Sequence, residues 1–264
     1  MDIINSLNEF CIYQDRKKPT LFCIKNNNNN NSKINNPLSL FHSILKINIV
    51  NSGNIINDNN NYSLIIKASS IKSFTQFKKE QKIKNNTYQL NYIVILRLIN
   101  SLIKQLHYLL ENESKCFYTL TSDNIIVIDD CKFIYLSSEH LKEVKNNDIH
   151  IYSPISKTIG YLSPELQKAS SIPIIINYRT IFYSLGLFVS SNLSNETEEL
   201  YENNNNTNNT NNTNNTNNTN NNNIPYKLIN DINIKTNAIK GTKLYYFLDR
   251  CLQTNPCKRF LLYV

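Results

Sequence analysis

The chain has 264 residues, enough for one large domain or two lobes with a sizeable buried core. About 48 asparagines and about 36 isoleucines fill roughly a third of it, a bias shared with other residues of A/T-rich codons and therefore assigned no function. The first of only 4 glycines is Gly53, which excludes a glycine-rich phosphate loop near the N-terminus; the net charge of +8 is scattered, densest at Arg16-Lys17-Lys18, so no nucleic-acid partner is read from it.

Taken in order, Glu9–Gln14 and Thr20–Lys25 read as strands of a hairpin around the polar turn at Asp15–Pro19. Asn26–Asn31 is a polyasparagine loop. Leu38–Leu45 is a short helical candidate, Ile47–Val50 and Ile55-Ile56 are strand fragments, and Tyr62–Lys67 is a buried strand after a turn at Asn57–Asn61. The pattern then becomes helical. Ser73–Ile83 is a short helix. Gln89–Glu111 is long and periodic, with Ile95, Leu98, Ile99, Leu102, Leu106 and Leu109 on one face. Ile125–Ile128 and Lys132–Leu136 form a second hairpin around Asp129-Asp130. Lys142–Thr158 is polar with little period, and Arg179–Val189 is apolar all round, hence a central helix. An Asn/Thr tract at about 203–223 has nothing to bury and reads as a disordered insertion. Lys243–Leu252 recovers a helical period through Leu244, Phe247, Leu248, Cys251 and Leu252.

Six cysteines without a CxxC, and an opening MDIINSLNEF that is no signal peptide, predict free thiols in a reducing, cytoplasmic setting. No membrane association is expected. Tyr92–Leu110 carries Arg97, Lys104, Gln105 and His107 and reads as amphipathic, and Ile172–Ser191 is interrupted by Pro173 and Arg179.

Five short motifs carry a resemblance to the eukaryotic protein kinase domain, and their order matches a small β-rich lobe followed by a helical lobe with an inner hairpin. Tyr161-Leu162-Ser163-Pro164-Glu165 resembles the end of a kinase activation segment, and Tyr183-Ser184-Leu185-Gly186 resembles the central-helix motif that follows it. Leu120–Val127 (LTSDNIIV) resembles the catalytic loop, and QLHYLLEN resembles the helix end before that loop. Cys251–Arg259 (CLQTNPCKR) resembles the motif near the end of the large lobe. The resemblance covers about residues 9–262. It implies an α+β, bilobal kinase-like fold: a reduced β-rich N-lobe at 1–68, containing the polyasparagine loop 26–31, and a mainly helical C-lobe at 69–264. It also implies an ion pair between Glu165 and Arg259, a structural tie.

Phosphoryl transfer in that family needs a glycine-rich loop, a strand Lys held by a helix Glu, a catalytic Asp, an Asn and a metal-binding Asp. Lys25 is the candidate strand Lys, or a plain surface Lys; Lys67 is a second candidate. No acidic residue lies between Asp15 and Asp58 to hold Lys25. With Asn124 as the family's Asn, Phe117-Tyr118-Thr119 replaces His-Arg-Asp, placing Thr119 at the catalytic Asp position, and a Thr hydroxyl is no general base near pH 7. Tyr135 stands at the metal-binding Asp position, so no magnesium site and no catalytic residue are expected. Asp123 reads as a loop-capping or solvent-exposed Asp, and Ile181 replaces the Asp that opens the family's central helix, so the junction reads as rebuilt into core.

The resemblance therefore implies an inactive serine/threonine kinase-like protein, a pseudokinase, without cofactor, binding an unknown protein partner as a scaffold or allosteric module. A second reading is a pseudokinase that binds ATP without turnover through Lys25 and Asn124. A third is an unorthodox kinase using Asp123, Asp129, Asp130 or Glu139. Ser153, Ser156 and Thr158 are candidate phosphosites, or ordinary loop hydroxyls.

Overall fold

The computed structural model describes residues 1–27, 37–47, 50, 52–58, 61–85, 89–157, 161–193 and 239–262. The Asn/Thr insertion and residues 28–31 of the polyasparagine loop lie outside them. The protein is mixed α+β, with antiparallel strand pairing in all three of its described sheets.

The chain opens with β1 (Asp2–Ser6), β2 (Phe10–Gln14) and β3 (Leu21–Asn26), continues through helix α1 (Leu38–Lys46), and returns as β4 (Gly53–Asp58) and β5 (Asn61–Lys67). These strands form one five-stranded sheet in the order β1-β2-β3-β5-β4. Period-two alternation puts Phe10, Ile12, Phe22, Ile24, Leu64 and Ile66 on the buried face, and the register seats Ile12 opposite Ile24 and Ile24 opposite Leu64. Leu40, Phe41 and Ile44 of α1 join the same core, with the Phe41 ring 6.0 Å from that of Phe10.

After a link at Ala68–Ser70 come β6 (Ile71–Ser73), α2 (Phe74–Asn85) and α3 (Tyr92–Glu113). Asn91 caps α3 by accepting the Val94 N–H, and Ser114 ends it in the left-handed region at φ 50°. Then follow β7 (Lys115–Phe117), a 3₁₀ turn (Ser122–Asn124), and the hairpin β8 (Ile125–Ile128) and β9 (Lys132–Tyr135), which pairs with β6. Every residue of β8 is fully buried, as its unbroken apolar run requires. The remaining described elements are β10 (Leu141–Lys145), β11 (Asp148–Ile151), α4 (Pro164–Lys168), β12 (Ile174–Asn177), α5 (Thr180–Asn192), α6 (Lys243–Cys251) and a 3₁₀ turn (Pro256–Lys258), with a sheet order β12-β11-β10-β7.

A single cluster of buried apolar side chains runs from Leu7 to Cys251 and includes residues on both sides of the Ala68–Ser70 link. Helix α5 lies at its centre, with every side chain buried except that of Ser191. Among the described residues α3 alone has the length and apolar composition of a membrane span, and the apolar face foreseen for it faces the core.

The structure departs from the expectations at three points and adds one strand. Of the strand fragment expected at Ile47–Val50, Ile47 instead closes α1 by donating its N–H to the Ser43 carbonyl, and residues 48 and 49 lie outside the described set. Strand β1 went unforeseen because Ile3 and Ile4 are exposed, leaving no buried alternation to read. Residues 141–151 are a hairpin rather than a patternless segment, because Asn146 and Asn147 supply consecutive left-handed positions at φ 52° and 68°. Gln105 belongs to the buried side of α3, not its polar side.

Candidate functional site

The segment from Phe117 to Asn124 and the end of β9 meet around the ring of Tyr135. This residue ends β9 and is fully buried, with the Phe117 ring packed edge-on 4.8 Å away. Its strand partner on one side is β8; on the other, the Gln105 amide acts as a substitute strand. Gln105 Oε1 accepts the Tyr135 N–H, and Gln105 Nε2 donates to the Tyr135 carbonyl, both at 2.9 Å. The same Nε2 reaches the Ser43 hydroxyl of α1 at 3.2 Å. One buried amide therefore fixes α1, α3 and β9 together, satisfying groups that would otherwise be orphaned.

The Tyr135 hydroxyl lies 2.5 Å from His140 Nδ1 and 3.4 Å from the Thr121 hydroxyl, with the Asn124 side chain also in hydrogen-bonding reach. Burial pulls the His140 pKa down to about 4, and the Lys142 charge adds to this. Burial likewise raises the Tyr135 phenol, against opposing hydrogen bonds from Thr121 and Asn124. A neutral imidazole and a protonated phenol can share this bond in either direction, with the His140 tautomer deciding which of Tyr135 Oη and Nδ1 donates. Tyr118, its ring 5.2 Å from that of His140, is pushed up to about 12 by burial, helped by the charges of Glu139 and Glu9. The two phenols and the imidazole are all uncharged at neutral pH.

Thr119 is buried with no hydrogen-bond partner for its hydroxyl, and the buried Asn124 Oδ1 is likewise without one. Lys25 stands exposed on the sheet face opposite Ile24, with its ammonium 5.8 Å above the Tyr13 ring. Lys25 and Asn124 are thus not brought together. Lys67 is exposed at the end of β5. Asp123 is exposed beside Ser122. Asp129 accepts from the Ser69 N–H and hydroxyl, both at 2.7 Å, clasping the link between β5 and β6; burial opposes its ionisation, but these bonds hold its carboxyl below the usual range. Asp130 pairs with Lys72 at 2.8 Å, and Glu80 pairs with the same Lys at 2.5 Å. Ile181 is fully buried. Glu165 and Arg259 meet in a two-point pair of 2.5 and 2.9 Å. Ser153 and Ser156 are exposed, while Thr158 lies outside the described residues.

A carboxylate missed in the sequence completes the picture. Glu9, in the turn between β1 and β2, accepts the Ser137 hydroxyl at 2.6 Å and the Ser138 N–H at 2.9 Å, and bonds the Glu139 N–H at 3.2 Å. Gln105 and His140 gave a fainter signal: a polar residue on an apolar stripe and a His beside a strand end.

Lys25 is exposed on the five-stranded sheet, the buried Tyr135 phenol ends β9, and the Glu9 carboxylate already uses the donors of residues 137–139. Among the described residues, no group of three or more His, Cys, Asp or Glu side chains is placed to hold a metal ion. Neither the protein-family models nor the curated proteins include a match to this chain.

Proposed function

We propose that this protein is a non-catalytic kinase-like domain, a pseudokinase that acts by binding a protein partner as a scaffold or allosteric module. The observation that carries this reading is Tyr135: at the position where the chemistry requires a carboxylate, a fully buried phenol is held by Gln105 and His140. A general base must reach its substrate's proton, and the principal magnesium ligand in that family is a carboxylate; a buried neutral phenol serves in neither role. The kinase-like half of the reading is supported by the order of elements. A β-rich sheet with α1 inserted comes first, the β8–β9 hairpin follows the Ser122–Asn124 turn, Glu165 opens α4, and the apolar α5 is central. Retention of the Glu165–Arg259 pair beside a dismantled reaction centre accords with selection for the fold and its surface. A reducing, cytoplasmic setting is part of the proposal, supported by six free thiols, of which Cys23, Cys116 and Cys251 are buried.

The test is thermal unfolding of the purified chain with millimolar ATP, with and without magnesium, alongside an assay for phosphate transfer. A ligand at 100 times its Kd adds about 2.7 kcal/mol, several degrees of Tm for a domain of this size. The expected result is no shift and no transfer. A shift abolished by Lys25→Ala would replace this reading with nucleotide sensing, and transfer to any acceptor would end it.

A further inference from the structure

The segment Ser137–Glu139 presents one hydroxyl and two backbone N–H groups to a single carboxylate 128 residues earlier in the sequence. Converging donors of this kind form an anion-binding concavity, and bonds to a charged acceptor are the stronger class. The concavity has its own scaffolding. The His140 N–H donates to Ser137 Oγ at 3.3 Å, and the Leu141 N–H donates to the Ser138 carbonyl at 3.3 Å. Neither bond involves Glu9, so the donors stay aimed when the carboxylate leaves.

The occupant is held less firmly than its seat. Glu9 is only partly buried, in a three-residue turn whose preceding strand β1 is a sheet edge with a register irregularity between Ile3 and Asn5. Short edge elements open at low free energy. The charges around the seat are Lys142, half-buried and within the field of both Glu9 and Glu139, and the exposed Glu139 itself. Tyr118 and His140 border it as neutral groups. With Glu9 withdrawn, Lys142 keeps one carboxylate neighbour instead of two, and the local balance moves toward accepting an external anion.

We propose that residues 137–139 are an oxyanion-binding site for which Glu9 is the built-in competitor, its two oxygens standing in for two oxygens of a phosphate. The site takes an external oxyanion when the β1–β2 turn lifts, which couples anion binding to release of that turn. The inference rests on the Glu9 geometry and not on the kinase-like reading, so ATP results leave it untouched.

The test is titration of inorganic phosphate at constant ionic strength, followed by the amide resonances of Ser138 and Glu139. Glu9→Ala is expected to show saturable shifts at both amides with a Kd at least tenfold tighter than wild type. Adding Ser137→Ala should weaken that binding at least threefold. A folded Glu9→Ala variant with no saturable response, or a wild type binding equally well, overturns the proposal and leaves Glu9 a structural clasp. Should Glu9→Ala fail to fold, Glu9→Gln carries the test: it keeps an acceptor and loses the charge, and must bind phosphate at least threefold tighter than wild type. Equality with wild type then overturns the proposal.

Discussion

His140 is a titratable group kept neutral by its surroundings, and this has a consequence for stability. Its folded pKa of about 4 lies below the ordinary 6.5, so as pH falls the unfolded chain takes up the proton first. The stabilisation is fully present above pH 6.5, drains away between 6.5 and 4, and is gone below. At 1.36 kcal/mol per pKa unit the loss is about 3 kcal/mol. His140→Gln keeps an acceptor for the Tyr135 hydroxyl and cannot titrate. Urea unfolding at pH 7 and pH 4 should therefore show a loss about 3 kcal/mol smaller in the variant than in wild type. Equal losses would mean that the imidazole reaches solvent on protonation. Of this cluster, Thr119, Asn124 and Tyr135 were legible as positions along the chain. Their burial agrees with the reading of this junction as core, but the hydrogen bonds among them were not legible, because no local pattern reports which hydroxyl faces which ring.

At the scale of elements, two hairpins turn on paired left-handed residues: Asp129-Asp130 at φ 52° and 56°, and Asn146-Asn147 at φ 52° and 68°. The first was read from its flanking apolar runs. The second was hidden, since in so Asn-rich a chain an Asn pair carries little turn information, and only Ile149 and Ile151 alternate clearly into the core. The left-handed conformation costs a Cβ-bearing residue about 1–2 kcal/mol, less for Asn and nothing for Gly. Asn147→Ala should lower stability by about 1 kcal/mol and Asn147→Gly should leave it unchanged or raised, as measured by denaturant midpoint. The reverse order would show that the Asn side chain, not the backbone angle, holds the turn. A second element-scale constraint is the crossing of α5 and α6 at Gly186. A Cβ there would lie 2.9 Å from the Cys251 Cβ, which explains a glycine inside a buried helix.

Over the whole molecule, the Glu165–Arg259 pair joins α4 to the segment after α6, 94 residues apart in sequence. Arg259 is fully buried. Its guanidinium also donates to the carbonyls of Gln253 at 2.6 Å and Thr254 at 2.9 Å, and lies 4.9 Å from the Tyr183 ring centroid. Burial opposes ionisation of Glu165, and the bonds from Arg259 overcome it. Removing one partner strands a buried charge, so Glu165→Ala should cost about 3 kcal/mol in urea unfolding. Removing both charges with Glu165→Leu and Arg259→Met should recover much of that loss. A double variant as unstable as the single would assign the cost to lost packing.

The sequence by itself determined the elements whose periodicity is set by local burial: the alternating β2, β3 and β5, the apolar stripe of α3 from Ile95 to Leu109, the all-apolar β8 and α5. It also determined which chemical groups are missing, since absence of a carboxylate from a stretch of chain needs no geometry. Only the tertiary structure decided how polar residues are used. Gln105 reads as helix surface until β9 is laid beside it, and Glu9 reads as a strand end until a loop 128 residues later presents its donors. Hydrophobic burial is encoded by near neighbours in sequence, whereas a hydrogen bond between distant segments depends on where the whole core places them.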